Sequence, residues 1–438
     1  GGGRGGAVTA QALAAAGREV LWLEEGPHWP LDSCAPFSRA ELEQKYRCGG
    51  LTVTLSRPQI QYVEGRCVGG GSEVNSGLYH RLPEALRQAW EKAYALPAFT
   101  EKDLAPHFDH IERALSVSYG EGPPPPPAQK LALGAEALGL TAQAVPRWFR
   151  GDRKQSMTET LVPQALAAGA QLWANHRVQR LSRGQGRWEV QGQGQTLAAA
   201  HVFVCGGAIQ TPALLQRSGF RGQIGRSLQM HPTVRAIAVF PEKVNHPGLG
   251  VAAYQVKASD RYRFGSSAAT PGYVRLGLLD YPGAEVPWEH TAMYYVALAG
   301  GERGGTVQTL PGWHDPVVRY ALTRRDRTEL AQGLRQLCQL LLAAGAHTIY
   351  PGVGGWAPVQ SPADLETWPE ILPPTARTMT VHLFGSCPLG HAVDPWGQIA
   401  PGLYLNDSSL LPGALGVNPQ GTLMALARRN VGHFLGEG

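Results

Sequence analysis

The chain of 438 residues is poor in charged side chains, which make up 17% of it, and it holds only six cysteines. The cysteines, at positions 34, 48, 67, 205, 338 and 387, form no CxxC pair and no spacing typical of metal ligands, so the sequence predicts no metal site. Such thiols are typical of a reducing compartment, and we expect a cytoplasmic protein. No apolar run is long enough to cross a membrane, so we expect no transmembrane segment.

Charge of one sign is not concentrated anywhere in the chain. The formal net charge is +5, and the arginines are scattered rather than clustered. This pattern indicates general basicity and predicts no nucleic-acid partner. Length and an apolar content of 43% predict a globular protein of two domains. No signal peptide is visible, but the first residue already lies inside a motif, so we expect the natural N-terminus to be missing.

The first residues carry a dinucleotide-binding pattern. Gly1, Gly3 and Gly6 satisfy G-x-G-x-x-G and open an Ala-rich helix, and a strand over 19–23 ends at Glu24. Glycines at this spacing let a pyrophosphate approach a helix start, and an acid about twenty residues on suits a ribose hydroxyl pair. The strand that normally precedes such a turn is absent, which again predicts a truncated start.

Further glycine-rich segments follow along the chain. The loop over 65–77 contains four small residues in a row, Gly69 to Ser72, which let backbone lie against a planar or charged ligand. A second strand–turn–helix runs through 200–219. From about 235 to 375 the pattern changes to alternating strands, including predicted strands over 233–240, 272–279 and 291–298. One long helix there is predicted to begin with a capping box at Asp326 and Glu329.

The last sixty residues combine a histidine with a helix start. His382 precedes a glycine-rich turn, Gly-Ser-Cys-Pro-Leu-Gly, and an Asn-Asp-Ser-Ser segment follows a short strand. Asn418 and Pro419 are predicted to be the cap and the first residue of a helix. A helix start suits an anionic ligand edge, and a histidine aimed at the same point could exchange a proton there.

These segments together resemble the glucose–methanol–choline (GMC) flavin oxidoreductases. The resemblance rests on the fingerprint ending at Glu24, the loop over 65–77, the segment 207–219 and the block from His382 to Asn418. The motifs H-x-x-G-S-C-x-x-G, N-D-S-S-L-L-P and G-V-N-P-Q in that block are most similar to the cholesterol oxidase-like branch. The usual D-G-S reads Asp-Ser-Ser here, and Glu73 is unusual in the second loop.

The resemblance implies an α/β protein. It would combine a Rossmann-like FAD-binding domain, its first strand missing, with a substrate domain of mainly antiparallel sheet and helices. The boundaries implied are 1–90, 151–232 and 380–438 for the FAD-binding domain, and 91–150 and 233–379 for the substrate-binding domain.

The resemblance also implies roles for single residues. His382 matches the active-site base of the family, and Asn418 matches its partner. The residues implied in FAD binding are Gly1, Gly3 and Gly6 at the pyrophosphate, Glu24 at the ribose, Gly70, Ser72 and Asn75 along the flavin, Val178 at the adenine, Asp407 near the ribityl chain, and Pro419 and Thr422 at the pyrimidine end.

The function implied is oxidation of an alcohol to a carbonyl. His382 would take the hydroxyl proton while a hydride passes to flavin N5, and Asn418 would position the substrate oxygen. We expect a rather hydrophobic small-molecule alcohol, with oxygen or another electron acceptor. A flavin-containing lyase, a light-driven decarboxylase on the same fold and an inactive remnant remain alternatives.

Overall fold

A nine-stranded sheet organises the middle of the chain in this computed structural model, which describes residues 1–436. All of its neighbouring strands are antiparallel except Ile60–Tyr62 and Thr378–Thr380, which run parallel. The strands follow in the order Thr52–Val53, Ile60–Tyr62, Thr378–Thr380, Thr233–Val239, Thr291–Leu298, Tyr262–Ser267, Tyr254–Lys257 and Ala142–Ala144, and Thr348–Pro351 also pairs with Thr233–Val239.

The two faces of this sheet have different neighbours. Side chains alternate across a strand, so Val234 and Ala236, both fully buried, lie in the hydrophobic core that includes residues of the long helix Arg324–Ala343. Arg235 and Ile237 point to the opposite side and line a large cavity. The sheet therefore closes a core on one side and forms a wall of the cavity on the other.

Parallel strand pairs form the rest of the framework. Leu21–Leu23 pairs with Gln171–Trp173, and Val202–Val204 pairs with Leu403–Leu405, both in parallel register. Smaller antiparallel pieces complete it: Gln398–Ala400 beside Leu403–Leu405, Arg180–Gly184 with Arg187–Gly192 and Gln195–Ala199, Gln229–Met230 with Leu383–Phe384, Thr306–Gln308 with Val317–Arg319, and Val117–Ser118 with Arg147–Arg150 and Arg153–Lys154.

Helices cover both parts. The first helix, Arg4–Ala15, packs against the last, Gln420–Leu435. The α-helices are Arg4–Ala15, Arg39–Lys45, Gly71–Val74, Glu84–Tyr94, Glu101–Ala114, Pro126–Ala137, Leu161–Ala167, Gly207–Arg217, Pro271–Gly277, Arg324–Ala343 and Gln420–Leu435. Within residues 1–436 we find no helix with the length and apolar character that crossing a bilayer requires.

Two local predictions in the middle of the chain are wrong. Residues 272–279 were predicted as a strand, but Pro271–Gly277 is a short helix, because Pro271 fits a first helical turn after the extended Thr270. The capping box of the long helix is formed by Thr323 and Asp326 rather than by Asp326 and Glu329. Asp326 is the third helical residue, and its carboxylate accepts the Thr323 backbone N–H.

The strands of each sheet can be compared with the proposed domain segments. The two parallel pairs outside the nine-stranded sheet are formed by residues 21–23 with 171–173 and 202–204 with 403–405. All four strands lie in the segments assigned to FAD binding. The nine-stranded sheet draws mainly on 233–380, but its edge uses residues 52–62, inside the first of those segments. The boundaries stay a proposal, with this edge as the place where the two parts share a sheet.

Candidate active site

A cavity of about 1960 Å³ joins the two parts. It extends from the glycine-rich start of the chain to the open face of the nine-stranded sheet. Of the residues predicted to form the site, Gly1, Gly3, Gly6, Glu24, Gly70, Asn75, Val178, Asp407, His382 and Asn418 line this cavity, whereas Ser72, Pro419 and Thr422 do not appear in its lining.

The start of the chain is held tightly by its neighbours. A side chain at Gly6 would collide with the Gly1 carbonyl, its Cβ lying 1.9 Å from that oxygen, so only glycine permits the turn. The Glu24 carboxylate accepts the backbone N–H groups of Gly2 and Gly26, the latter over 2.7 Å. Burial raises the pKa of Glu24, whose carboxyl group lies under the turn and lines the cavity.

The second glycine loop lies against this turn. Gly70 has a φ of +52°, and a Cβ there would lie 2.8 Å from Cα of Gly3, so the two loops meet backbone to backbone. Asn75 lines the cavity, and its Nδ2 is buried without a partner among the described residues. Ser72 is fully buried; its hydroxyl donates to the Gly69 carbonyl over 2.7 Å and accepts a backbone N–H, so it holds the loop.

Glu73, the unusual residue of this loop, has a structural explanation. Its buried carboxylate accepts hydrogen bonds from the hydroxyls of Ser156, over 3.1 Å, and Thr158, over 2.8 Å. Lys154 lies beside it and donates to the carbonyls of Glu73 and Asn75, over 2.6 and 2.9 Å. Burial lowers the pKa of Lys154 to about 8. These contacts fasten the loop to the segment around 154–158.

Asp407 joins the third glycine turn to the C-terminal block. Its Oδ2 accepts the backbone N–H of Gly207, over 2.8 Å, and the hydroxyl of Thr211. Its Oδ1 accepts the backbone N–H of Ser409, over 2.8 Å. The turn is therefore intact although Ser408 stands where the usual motif has glycine. Val178 lines the cavity near the strand that carries Gly192.

The last helix begins one residue later than predicted. Its first helical residue is Gln420, and Pro419 takes the cap position with φ −80° and ψ −5°. The prediction that Asn418 caps this helix is wrong, because its side chain contacts Gln255 and His382 instead. The side-chain oxygens of Gln420 and Thr422 are buried without partners among the described residues.

Two histidines and an asparagine meet at the end of the cavity. Nδ1 of His382 lies 2.9 Å from Nδ1 of His231, and the two rings meet edge to face. Nε2 of His382 lies 3.3 Å from Nδ2 of Asn418. The structure therefore brings together the two residues predicted to react with the substrate, although 36 residues separate them in sequence.

The directions of the hydrogen bonds follow from Arg263, whose guanidinium can only donate. Its Nη1 lies 3.4 Å from Oε1 of Gln255, so the Gln255 amide nitrogen faces Asn418 and donates to Oδ1 over 3.2 Å. The Asn418 nitrogen then faces Nε2 of His382, which must carry a lone pair. The ring proton of His382 is therefore on Nδ1, facing His231.

A second fixed donor stands at the other end of these contacts. The backbone N–H of Gly416 lies 3.2 Å from Nε2 of His231, the nitrogen that would carry the proton of that ring. When both rings are neutral, the Gly416 N–H therefore faces an N–H of His231 and has no acceptor there. Protonating His382 would create a second contact between two donors, its Nε2–H and the amide nitrogen of Asn418. Burial lowers the pKa of His382 to about 3, and the charges of Arg4 and Arg263 act in the same direction. His382 is neutral at physiological pH.

Sequence reasoning assigned no role here to His231, Gln255, Arg263 or Arg4. Of these residues, only His231 lies in a local sequence pattern, the pair His231-Pro232 that follows Ile224-Gly225-Arg226. Gln255 and Arg263 reach the site because their strands pair antiparallel, with Gln255 opposite Gly265. That register cannot be read from either strand alone.

The unpaired buried atoms indicate what the cavity accommodates. Arg4, Asn75 and Gln420 line the cavity, and Nη1 of Arg4, Nδ2 of Asn75 and Oε1 of Gln420 lack partners among the described residues, although burying a polar atom unpaired costs about 1–3 kcal/mol. They lie along the glycine loops and the last helix start. A long ligand with an anionic centre and a polar ring edge, as FAD has, would satisfy them.

Comparisons with known proteins agree with this fit. Two family profiles, both described as GMC oxidoreductase, match residues 42–233 and 305–427. A GMC-type oxidoreductase of Sinorhizobium fredii is 37% identical, over 98% of this chain and 92% of its own. A long-chain-alcohol oxidase of Arabidopsis thaliana is 25% identical, over 98% of this chain and 66% of its own.

Solved structures share the fold. Pyridoxine 4-oxidase from Mesorbium loti superposes with a TM-score of 0.79 at 17% identity, covering 100% of this chain and 98% of its own. A formate oxidase variant of Aspergillus oryzae, studied for FAD modification, gives 0.76 at 16% identity, covering 100% and 97%. The fold class predicted from the sequence, a Rossmann-like FAD-binding domain with a second, sheet-based part, is confirmed. The chain belongs to the GMC oxidoreductase family, and its cofactor is FAD.

Proposed function

We propose that this FAD-dependent oxidoreductase converts a CH–OH group to a carbonyl. The observation that carries the proposal is the pairing of a neutral His382 with Asn418, whose side-chain nitrogens lie 3.3 Å apart on one cavity wall. An alcohol oxygen beside these two groups would meet a proton acceptor and a hydrogen-bond donor together.

His382 is the base in this proposal. Its Nε2 carries the lone pair, so it can take the hydroxyl proton as the carbinol carbon loses a hydride. Bound FAD supplies the acceptor of that hydride, so the two electrons leave the substrate with it. The low pKa of His382 keeps the ring unprotonated over the whole physiological range, and His231 fixes the orientation of the ring through Nδ1.

Asn418 is the positioning partner. One of its two amide hydrogens faces His382, which leaves the second free to donate to the substrate oxygen. Gln255 holds the amide by donating to its Oδ1 over 3.2 Å. When the substrate hydroxyl takes the place of the Asn418 hydrogen at the single lone pair of Nε2, it presents its proton to His382 and its carbon to the cofactor side of the cavity, while Asn418 donates to its oxygen.

The substrate proposed is a small-molecule alcohol with apolar character. Ile237, Met293, Leu276 and Leu279 line the cavity on the side of the nine-stranded sheet, and the last two are exposed at 53% and 60%. The likeness to a long-chain-alcohol oxidase supports the CH–OH donor. The acceptor that reoxidises the cofactor is proposed to be oxygen or another small oxidant.

The test is an anaerobic visible spectrum of the holoenzyme before and after a panel of alcohols. We expect an alcohol to bleach the flavin in the wild type, and His382→Ala to retain flavin but bleach far more slowly. A flavin that no alcohol bleaches would contradict the proposal and favour the lyase or light-driven alternatives. His391→Ala, an exposed site, is the matched control and should bleach like the wild type.

A further inference from the structure

The carboxylates of the cavity lining are confined to one part of the chain, whereas arginines line both parts. The acidic residues of its lining, Glu19, Glu24, Glu25, Glu64 and Asp407, all come from segments outside 233–379. The lining contributed by 233–379 contains three arginines and no carboxylate. Its Arg377 is paired with Asp280, whereas Arg235 and Arg263 form no such pair with any residue of 1–436.

Arg263 is nearly unpaired. A guanidinium offers five N–H donors, and the side-chain hydrogen bond that the structure shows for Arg263 is one long contact of 3.4 Å to Gln255. Partial burial lowers the pKa of Arg263. A half-buried cation without a counterion is unfavourable, so we expect Arg263 to have a partner that residues 1–436 do not supply.

Arg235 repeats this situation on a neighbouring strand. No side-chain hydrogen bond or ion pair of Arg235 is found within residues 1–436, and its guanidinium lies 5.9 Å from the ring centre of Tyr273. The strand carrying Arg235 is separated from the strand of Arg263 by Thr291–Leu298 alone. Two strand spacings of about 4.8 Å put both arginines on one wall. That wall has a positive potential and attracts anions.

Arg263 is also next to the catalytic pair. Gln255 bridges them, accepting from Arg263 over 3.4 Å and donating to Asn418 over 3.2 Å. Arg263 therefore lies two hydrogen bonds from the amide that we propose to hold the reacting oxygen, and an anionic group bound by Arg263 would lie three hydrogen bonds from it.

We propose that the substrate is an alcohol that also carries a carboxylate, and that Arg263 binds this carboxylate. The inference rests on the proposed function for the oxidation, but the binding of the carboxylate does not depend on it. Arg235 increases the attraction from a neighbouring strand. A charge-assisted pair is worth about 1.5–3 kcal/mol, so the carboxylate should improve KM roughly 10- to 100-fold over a neutral alcohol of the same length.

The test uses the holoenzyme with glycolate and its longer ω-hydroxy homologues, each compared with the diol of the same length. We expect a lower KM for the hydroxycarboxylates, an optimum at one chain length, and loss of the preference in Arg263→Gln with partial retention in Arg263→Lys. Arg261→Gln, which removes an arginine paired with Glu329 near the same strand, should keep the preference. Equal KM values for acids and diols in the wild type would overturn the inference.

A second measurement separates this inference from the proposed oxidation. Butyrate and hexanoate have no hydroxyl group, and their binding is followed by the change in the absorbance of the bound flavin. Binding to the wild type and not to Arg263→Gln supports the carboxylate site, even where no alcohol is oxidised. Equal binding to both proteins, or to neither, overturns it. Thermal unfolding checks the variants, and Arg263→Gln should be at least as stable as the wild type because it removes an unpaired charge.

Discussion

Replacing His382 by glutamine should make the protein less sensitive to acid. The pKa of this ring is lowered by burial to about 3 in the folded chain, against about 6.5 when unfolded. Below pH 6.5 the unfolded chain takes up a proton that the folded chain refuses, so stability is lost as pH falls from about 6.5 towards about 3. Between about pH 7.5 and about pH 5.0 this single group removes about 2 kcal/mol from the free energy of unfolding.

The assay is urea unfolding of wild type and His382→Gln at both pH values. Other titrating groups are common to both proteins and cancel in the comparison, so the variant should lose about 2 kcal/mol less than the wild type. His391→Gln, at an exposed site, is the control and should behave as the wild type. Equal losses in His382→Gln and wild type would refute the argument that the folded site keeps this imidazole neutral.

Three further substitutions test the parts of the site separately. Gly70→Ala places a Cβ 2.8 Å from Cα of Gly3 at a φ of +52°, so we expect protein purified with less flavin per chain, measured by absorbance; full flavin content would contradict the loop contact. Glu73→Ala removes the acceptor of two buried hydroxyls and should lower the free energy of unfolding by about 2–4 kcal/mol, whereas a loss below about 1 kcal/mol would show that the contacts do not stabilise the loop. His231→Phe keeps the ring packing but removes the hydrogen bond to His382, so we expect the rate of flavin bleaching by substrate to fall roughly tenfold with flavin content unchanged; an unchanged rate would exclude a positioning role.

The features that the sequence could predict are those contained in one stretch of chain. The predicted strand over 291–298 is observed with the same bounds, and the predicted long helix is observed as Arg324–Ala343, which buries Leu330, Leu334 and Leu337 at helical spacing. The glycine turn at the start of the chain could be predicted for the same reason, because its acid, Glu24, contacts Gly2, which is only 22 positions away. Local spacing was sufficient for each.

The features that could not be predicted depend on contacts between distant segments. His231 and His382 are 151 residues apart, and Gln255 and Asn418 are 163 apart, so no periodicity links them. The short helix Pro271–Gly277 was predicted as a strand, although its buried residue Val274 and the buried Leu278 that follows it lie four residues apart, as on one face of a helix.

Glu73 is another residue whose role depends on a distant segment of the chain. In sequence it is a departure from the resemblance, since a carboxylate among glycines gives no hint of its use. In the structure it is 1% exposed and accepts hydrogen bonds from the hydroxyls of Ser156 and Thr158, which lie 83 and 85 residues away in the sequence. Substituting it should therefore affect the docking of the loop rather than the chemistry.

The alternation of side chains along the strands explains how one fold can serve different substrates. Arg235 faces the cavity while Val234 faces the core, and Arg263 faces the cavity while its neighbour Phe264 is fully buried. A change at a cavity position thus alters recognition without touching the packed side of the sheet. Structures at 16–17% identity share this fold although their names give different substrates, pyridoxine and formate. We therefore expect the glycine loops to hold the cofactor and the residues at alternate positions of four neighbouring strands to select the substrate.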